Sequence, residues 1–313
     1  MKTRPTNYHN TVVTAPAPKS IGIIGGKGQM GKLLEREFRA TGYDVRSTGK
    51  EDGVSERTLR RANYHLLRES QVVVLAVPIP VLNRGLENLF GPRAMRGLRG
   101  KLVFDIASTK CEPMHEMAAA AGASVVGCHP LFGPLIQQMH GKHVVLCPLA
   151  RGSRVLDANT QAWATWLATW WKGHGAAVHF LTPEEHDRLM AIIQIGVLAP
   201  VTFFAAAVER LGIPLARLME ISTPNSLVFQ AITGRMLSAA MASTYAFLAT
   251  GNKFSAEVTE AIRDAAADFH NMTIQKDAAA LERHIKALAN GISPAFRENA
   301  LALTKKFEVA VAT

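Results

Sequence analysis

Residues 20–38, SIGIIGGKGQMGKLLEREF, join a short apolar run to a glycine-rich turn and then to a helical pattern. No other segment restricts the fold as much. Ile21, Ile23 and Ile24 read as a buried strand, while Met30, Leu33, Leu34 and Phe38 recur on one face of a helix. Between them Gly26, Gly28 and Gly31 keep the GxGxxG spacing of a nucleotide-binding βα unit. The first glycine permits the tight turn, the second lets the backbone approach a pyrophosphate, and the third lets helix and strand pack together. Free N–H groups at the helix start then face the anion. The expected pyrophosphate site is therefore the turn itself: Gly25, Gly26, Gly28, Gln29, Met30 and Gly31.

A second strand over 43–48 follows, and the alternation continues. Helices are expected near 56–68, after Pro80 and over 113–121, and strands over 71–77, 101–106 and 124–127. Two more strands, 143–147 and 177–181, bracket a helix carrying Trp163, Trp166, Trp170 and Trp171, which read as packing residues. This pattern predicts an α/β Rossmann-like fold, a doubly wound parallel sheet. Past Thr182 the period is helical throughout, with helices expected over 183–211, 215–221, 226–250, 255–275, 276–290 and from 293 onward. The organisation expected is a flexible lead-in over 1–19, a dinucleotide-binding domain over 20–182 and an all-helical substrate and dimerisation domain over 183–313. So many apolar helix faces call for a partner surface, and a homodimer through the helical domain is the expectation.

The chain has 313 residues, 48% hydrophobic and 19% charged, enough for two globular domains. Cys111, Cys128 and Cys147 lack the paired spacings of a zinc site or disulfide framework, which implies no metal and a reducing, cytoplasmic setting. The net charge of +10 is scattered, with no arginine block beside stacked aromatics, so it favours anionic small molecules over nucleic acid. Residues 189–208 carry no charge over a length that would span a bilayer. Gln194, Gly196, Pro200 and Thr202 interrupt that run, and it reads as a central buried helix of a protein with no membrane partner.

Strand ends deliver residues to the cofactor crevice of a doubly wound sheet. Three such ends stand out: VPIP with Val77 and Pro78, DIASTK with Ser108 and Lys110, and GCHPLFGP with His129 and Gly133. His129, placed where strand 124–127 leaves the sheet, suits proton transfer at neutral pH. The set GKGQMG, VPI, ASTK, HPLFGP and EEHD (184–187) resembles the prephenate dehydrogenase family over about residues 20–240. The resemblance implies a Rossmann-like domain followed by a helical dimerisation domain. It also implies NAD(P)-dependent oxidative decarboxylation of a cyclohexadienyl acid: prephenate, arogenate or 4-amino-4-deoxyprephenate. The lead-in is too short for the chorismate mutase domain fused in some members, so none is expected before it. By the same resemblance His129 takes the proton of the substrate ring hydroxyl, Ser108 orients it, and Lys110 lies near the crevice.

Two positions depart from the family's pattern. A histidine and a carboxylate-gripping arginine of the second domain match Leu198 and Leu227 here. Leucine cannot supply a bidentate, charge-assisted grip. Arg235, Lys142 or His140 would have to replace it, with Gln194 and Gly133 completing the substrate residues, or the substrate differs at that end. After the second strand the run Arg46-Ser47-Thr48-Gly49-Lys50 holds two cations and small hydroxyls where an acidic residue would bind a ribose. That composition leans slightly toward NADP, with Glu51 and Asp52 close enough to keep NAD open. Two alternatives remain: a dehydrogenase or reductase of the same scaffold acting on another substrate class, and a non-catalytic dinucleotide-binding protein.

Overall fold

Strands Val72–Leu75 and Leu102–Asp105 are buried along their whole length, as a parallel sheet covered on both faces requires. In the computed structural model, which describes residues 16–120, 122–150 and 156–311, seven strands form the sheet. They are β1 (Ser20–Ile24), β2 (Asp44–Thr48), β3 (Val72–Leu75), β4 (Leu102–Asp105), β5 (Ser124–Pro130), β6 (His143–Pro148) and β7 (Ala177–Phe180), in the spatial order β2-β1-β3-β4-β5-β6-β7. The lead-in expected over 1–19 lies, up to residue 15, outside the described residues.

The helices of this half are α1 (Gln29–Ala40), α2 (Glu56–Glu69), the short α3 (Ile79–Leu82) and α4 (Leu86–Phe90), α5 (Cys111–Met117) and α6 (Ala158–Gly173). Helices α1 and α6 cover one face, where Leu34, Phe38 and the four tryptophans meet Ile21, Ile23, Val74, Phe104, Val126 and Cys128. Phe38 stacks on Trp170 at 4.0 Å between centroids, a pair worth about 0.5–1.5 kcal/mol beyond its buried area. The indoles are core, and two keep a polar handle: Trp166 Nε1 donates to Tyr43 Oη and Trp170 Nε1 to Thr41 Oγ1. On the other face lie α2 and α5, close enough that Gly22 leaves room for Leu66 and Gly127 for Met114.

Two expectations about the sheet need correction. Strands β1 to β5 are parallel, but β6 runs antiparallel to β5, with β7 parallel to β6. The connection 131–142 contains no helix to carry the chain back across the sheet, so β6 returns alongside β5 in the reverse direction. Strand β5 also continues to Pro130, three residues past the expected end, because β6 pairs with it beyond the last residue of β4.

The chain divides into two compact units, 1–188 and 189–313, six residues later than expected. Helix α7 (Pro183–Met190) places its first residues in the first unit because His186 and Asp187 are buried there, bonded to His129, Lys110 and Cys111. In the second unit a π-helical turn (Ala191–Ile195) is followed by α8 (Gly196–Arg210), α9 (Leu215–Glu220), α10 (Pro224–Met236), α11 (Ala242–Gly251), α12 (Ser255–Ile274), α13 (Ala278–Asn290) and α14 (Pro294–Val311). The single helix expected over 226–250 is two. Leu237 leaves the helical region at ψ 47° and Ser238 is extended, a break that no glycine or proline marks.

The apolar stretch 189–208 is not the buried central helix expected. Ile192 is 58% exposed, Ile193 54% and Phe203 49%. Residues Pro183–Arg210 form one helix long and apolar enough to cross a membrane, by length and composition alone.

Candidate active site

The glycine turn follows β1, and its glycines divide their work differently from the expectation. Gly25 takes the left-handed backbone at φ 90°, so it and not Gly26 makes the tight turn, and a Cβ on it would collide with Ala76 O. Gly26 instead makes room for Ser47. Gly31 lets α1 ride on the turn, since its Cβ would lie 2.7 Å from Gly26 Cα. A Cβ on Gly28 would meet nothing nearer than Gly25 O at 3.3 Å, so this glycine faces outward.

Helix α1 has no side-chain cap and no acidic residue in its first turn. Its first bond is donated by Lys32 N to Gly28 O, which leaves the N–H groups of Gln29, Met30 and Gly31 without helical acceptors. A cradle without Cβ atoms, ending in uncapped donors, fits a dinucleotide pyrophosphate. The loop after β3 closes one side, with Val77 Cγ1 3.2 Å from where a Gly25 Cβ would stand and Pro78 exposed beside it. Gly25→Ala is expected to abolish binding of the reduced dinucleotide, read by its fluorescence, and to cost about 1–3 kcal/mol in thermal unfolding through the strained φ.

The residues after β2 are not all free for a cofactor. Arg46 is ion-paired with Glu69 at the end of α2 and lies near Asp44. Thr48 Oγ1 donates to Asn63 Oδ1 at 2.6 Å, and Ser47 packs against Gly26. Lys27 in the turn pairs with Glu51 at 2.9 Å, both side chains about half exposed. Lys50 is exposed beside them.

At the carboxyl ends of β4 and β5 lies the polar cluster of the first unit. Asp105 ends β4 and Gly127 pairs with it in β5, so His129 projects two residues further along, on the α5 side of the sheet. His129 is therefore a strand residue opposite Val145 of β6, not a loop residue. It is 5% exposed, and its Nδ1 lies 2.8 Å from Nε2 of His186, which is fully buried. His186 Nδ1 in turn lies 2.7 Å from Asp187 Oδ1. Asp187 also accepts the backbone N–H groups of Lys110 at 2.6 Å and Cys111 at 2.8 Å. His129 Nε2 has no hydrogen-bond partner among the described residues.

Burial holds His129 well below the ordinary imidazole value, with the neighbouring His186 and the Lys110 charge adding to the effect. Burial also lowers His186, against the pull of its bond to Asp187. Burial would raise the Asp187 carboxyl, but the bonds from His186, Cys111 N–H and Lys110 N–H outweigh it and the value falls. The cluster thus holds two neutral imidazoles beside one carboxylate at neutral pH.

Lys110, expected among the substrate residues, is turned inward. Its side chain is fully buried, with Nζ ion-paired to Asp105 and donating to Cys128 O at 2.9 Å. Its stem crosses Gly127, where a Cβ would stand 2.8 Å from Lys110 Cδ. A strand-end carboxylate two residues before a small loop takes the ammonium inward, which composition alone does not reveal. Ser108, half-buried in the same loop, makes no hydrogen bond to His129; the residue that holds the ring is His186. His186 and Asp187 stand inside EEHD and Asp105 inside DIASTK, but neither motif signals the role its residues take here.

The remaining expected substrate residues are divided between the two units. Gly133, His140 and Lys142 are exposed on the connection before β6, where His140 packs on Gly175. In the second unit Gln194 and Leu198 are half-buried in the π turn and α8, Leu227 is half-buried on α10, and Arg235 is exposed near the end of α10. Helices α8 and α10 pack together through Phe204 and Phe229, whose rings meet edge to face at 5.3 Å.

Comparison with known proteins gives this geometry its context. Residues 32–189 match the family model described as prephenate dehydrogenase, nucleotide-binding domain. The chain is 28% identical over 223 residues to the T-protein of Enterobacter agglomerans, covering 71% of this chain and 54% of that one. It is 27% identical over 232 residues to a probable arogenate/prephenate dehydrogenase of Methanocaldococcus jannaschii, covering 70% and 49%. The chain thus spans about half the length of the curated relatives it matches. In fold it is similar to the prephenate dehydrogenase of Aquifex aeolicus crystallised with hydroxyphenyl propionate and NAD+, with a TM-score of 0.59 at 15% identity, over 88% of this chain and 98% of that one.

Proposed function

Since the chain belongs to the prephenate dehydrogenase family, we propose that it is an oxidoreductase that uses a nicotinamide dinucleotide to decarboxylate a cyclohexadienyl acid oxidatively. One observation carries this reading: a buried, neutral His129 with an open Nε2 stands at the same end of the sheet as the glycine cradle, where the parallel strands finish. When bound, the dinucleotide supplies the hydride acceptor. The protein's own part is to remove one proton through His129 and to hold the acid in place, while aromatisation of the ring supplies the driving force.

The substrate is prephenate, arogenate or 4-amino-4-deoxyprephenate. With Lys110 buried and leucine at 198 and 227, Arg235, Lys142 or His140 remains to grip the carboxylate. The same two leucines favour, as a second reading, a substrate of this scaffold that is not a cyclohexadienyl acid. For the cofactor, Arg46 is committed to Glu69, so the lean toward NADP loses one of its two cations and keeps Lys50.

The test supplies each of the three acids with NAD and with NADP and follows the reduced-nicotinamide absorbance. Turnover of one acid establishes substrate and cofactor together. Dinucleotide binding without turnover of any acid favours the second reading. We also propose that the exposed Ile192, Ile193, Val197 and Phe203 are covered by a second copy in a soluble, cytoplasmic homodimer. Twice the chain mass by light scattering, in protein recovered without detergent, is the expected result; recovery only with detergent would point to a bilayer.

A further inference from the structure

In the first unit, residues brought together from β5, α5 and α7 form a chain of hydrogen bonds whose direction can be read. Asp187 accepts from two backbone N–H groups, Lys110 and Cys111, which can only donate. It is therefore an acceptor toward His186 as well, and the proton between them sits on His186 Nδ1. A neutral imidazole with Nδ1 protonated presents a lone pair at Nε2. His186 Nε2 must accordingly accept from His129 Nδ1 at 2.8 Å, and His129 in turn presents its lone pair at Nε2, the atom that lacks a partner among the described residues.

We propose that His186 and Asp187 are positioning residues: they lock His129 in the tautomer whose Nε2 is a base and accept its surplus proton. The inference rests on the reading of His129 as the group that deprotonates the substrate. The step balances. His129 Nε2 gains the substrate proton, His129 Nδ1 passes its own proton to His186 Nε2, and the positive charge comes to rest on His186 beside Asp187. Asp187 stays ionised throughout, since the bonds donated to it favour the carboxylate.

The surroundings support this direction. Among the described residues, the charged groups that act on the two rings are Asp187 and Lys110 with its partner Asp105, and Cys111 and Cys147 stand beside these three. Burial pushes the Cys147 thiol up, which keeps it uncharged. Burial and the Lys110 charge depress both imidazoles, but His129 also feels the other imidazole, whereas His186 has the carboxylate in contact. The surplus proton is therefore better held on His186. Burial at 0% exposure also keeps water from competing for His186 Nε2 and reversing the chain.

The first measurement is the imidazole 15N–1H correlation spectrum of histidine-labelled full-length protein at neutral pH, assigned by His129→Gln and His186→Gln. The expected result is Nδ1–H on both rings; Nε2–H on His129 in the wild type overturns the proposal without any variant having to be active. The second is Asp187→Asn, whose side chain can donate as well as accept. It is expected to redistribute the His129 tautomers and to lower kcat about 100-fold with KM little changed. An unchanged spectrum and unchanged kcat in a folded Asp187→Asn protein also overturn it. The expected tautomers without turnover of any acid would leave the chain of bonds standing and count against the proposed reaction alone.

Discussion

His129→Ala is expected to lower kcat by about 10²–10⁴-fold, the usual contribution of a positioned general base, while dinucleotide affinity stays within a few-fold of wild type. Steady-state kinetics on the acid that is turned over, beside a titration of reduced dinucleotide, checks both halves. The separation is expected because the glycine cradle follows β1 and His129 lies near the end of β5, with β3 and β4 between them. The pH profile has a definite sign. Burial and the nearby charges hold His129 below the ordinary imidazole value near 6.5, so the base form persists below that pH. Activity is retained through neutrality and falls on the acid side, as pH drops through the lowered value. Stability follows the same sense. A histidine whose folded value is depressed contributes stability that is complete above its unfolded value and lost as pH falls through the folded one.

Lys110→Met is expected to destabilise the protein by about 3–5 kcal/mol, the cost of leaving one member of a buried ion pair uncompensated. Asp105 is fully buried, and its remaining partners are the N–H groups of Ala107, at 2.9 Å, and Cys128, at 3.4 Å. Denaturant unfolding measures the loss. A lysine gripping substrate would instead raise KM in a protein of normal stability. The double variant Asp105→Asn with Lys110→Met is expected to recover much of the lost stability, since it removes the unpaired charge.

The fold was legible where local pattern and tertiary environment agree. Each expected strand from β1 to β7 exists within a few residues, because a sheet covered on both faces demands the uninterrupted apolar runs that a reader can see. The antiparallel turn of β6 was not legible, since its own residues are as apolar as those of a parallel strand and only the missing crossover helix distinguishes it. The break at Leu237 and Ser238 carries no punctuation either. Exposure of Ile192, Ile193 and Phe203 was misread because an apolar run says that a surface avoids water, not what covers it.

The site was half legible. His129 announced itself through its position after an expected strand and before Pro130. His186 and Asp187 gave no such signal, lying 57 and 58 residues further along the chain at the start of a helix assigned to the other domain. Lys110 misled in the opposite way. A lysine on a crevice loop reads as a hand held out to an anion, whereas here Gly127 opens a channel for its stem and Asp105 draws its charge inside.

The pairing of β5 with β6 past the end of β4 has a consequence for motion. His129 is mounted on a ladder, opposite Val145, and its neighbours Cys128 and Pro130 pair there too. The amides of such a segment exchange with solvent only when the sheet itself opens, at a free energy close to that of global unfolding. The proton acceptor is thus a fixed post. Whatever closing motion brings substrate and base together must be made by the substrate and the loops that carry it, and slowed exchange on ligand binding should be sought in 131–142 and not in 126–130.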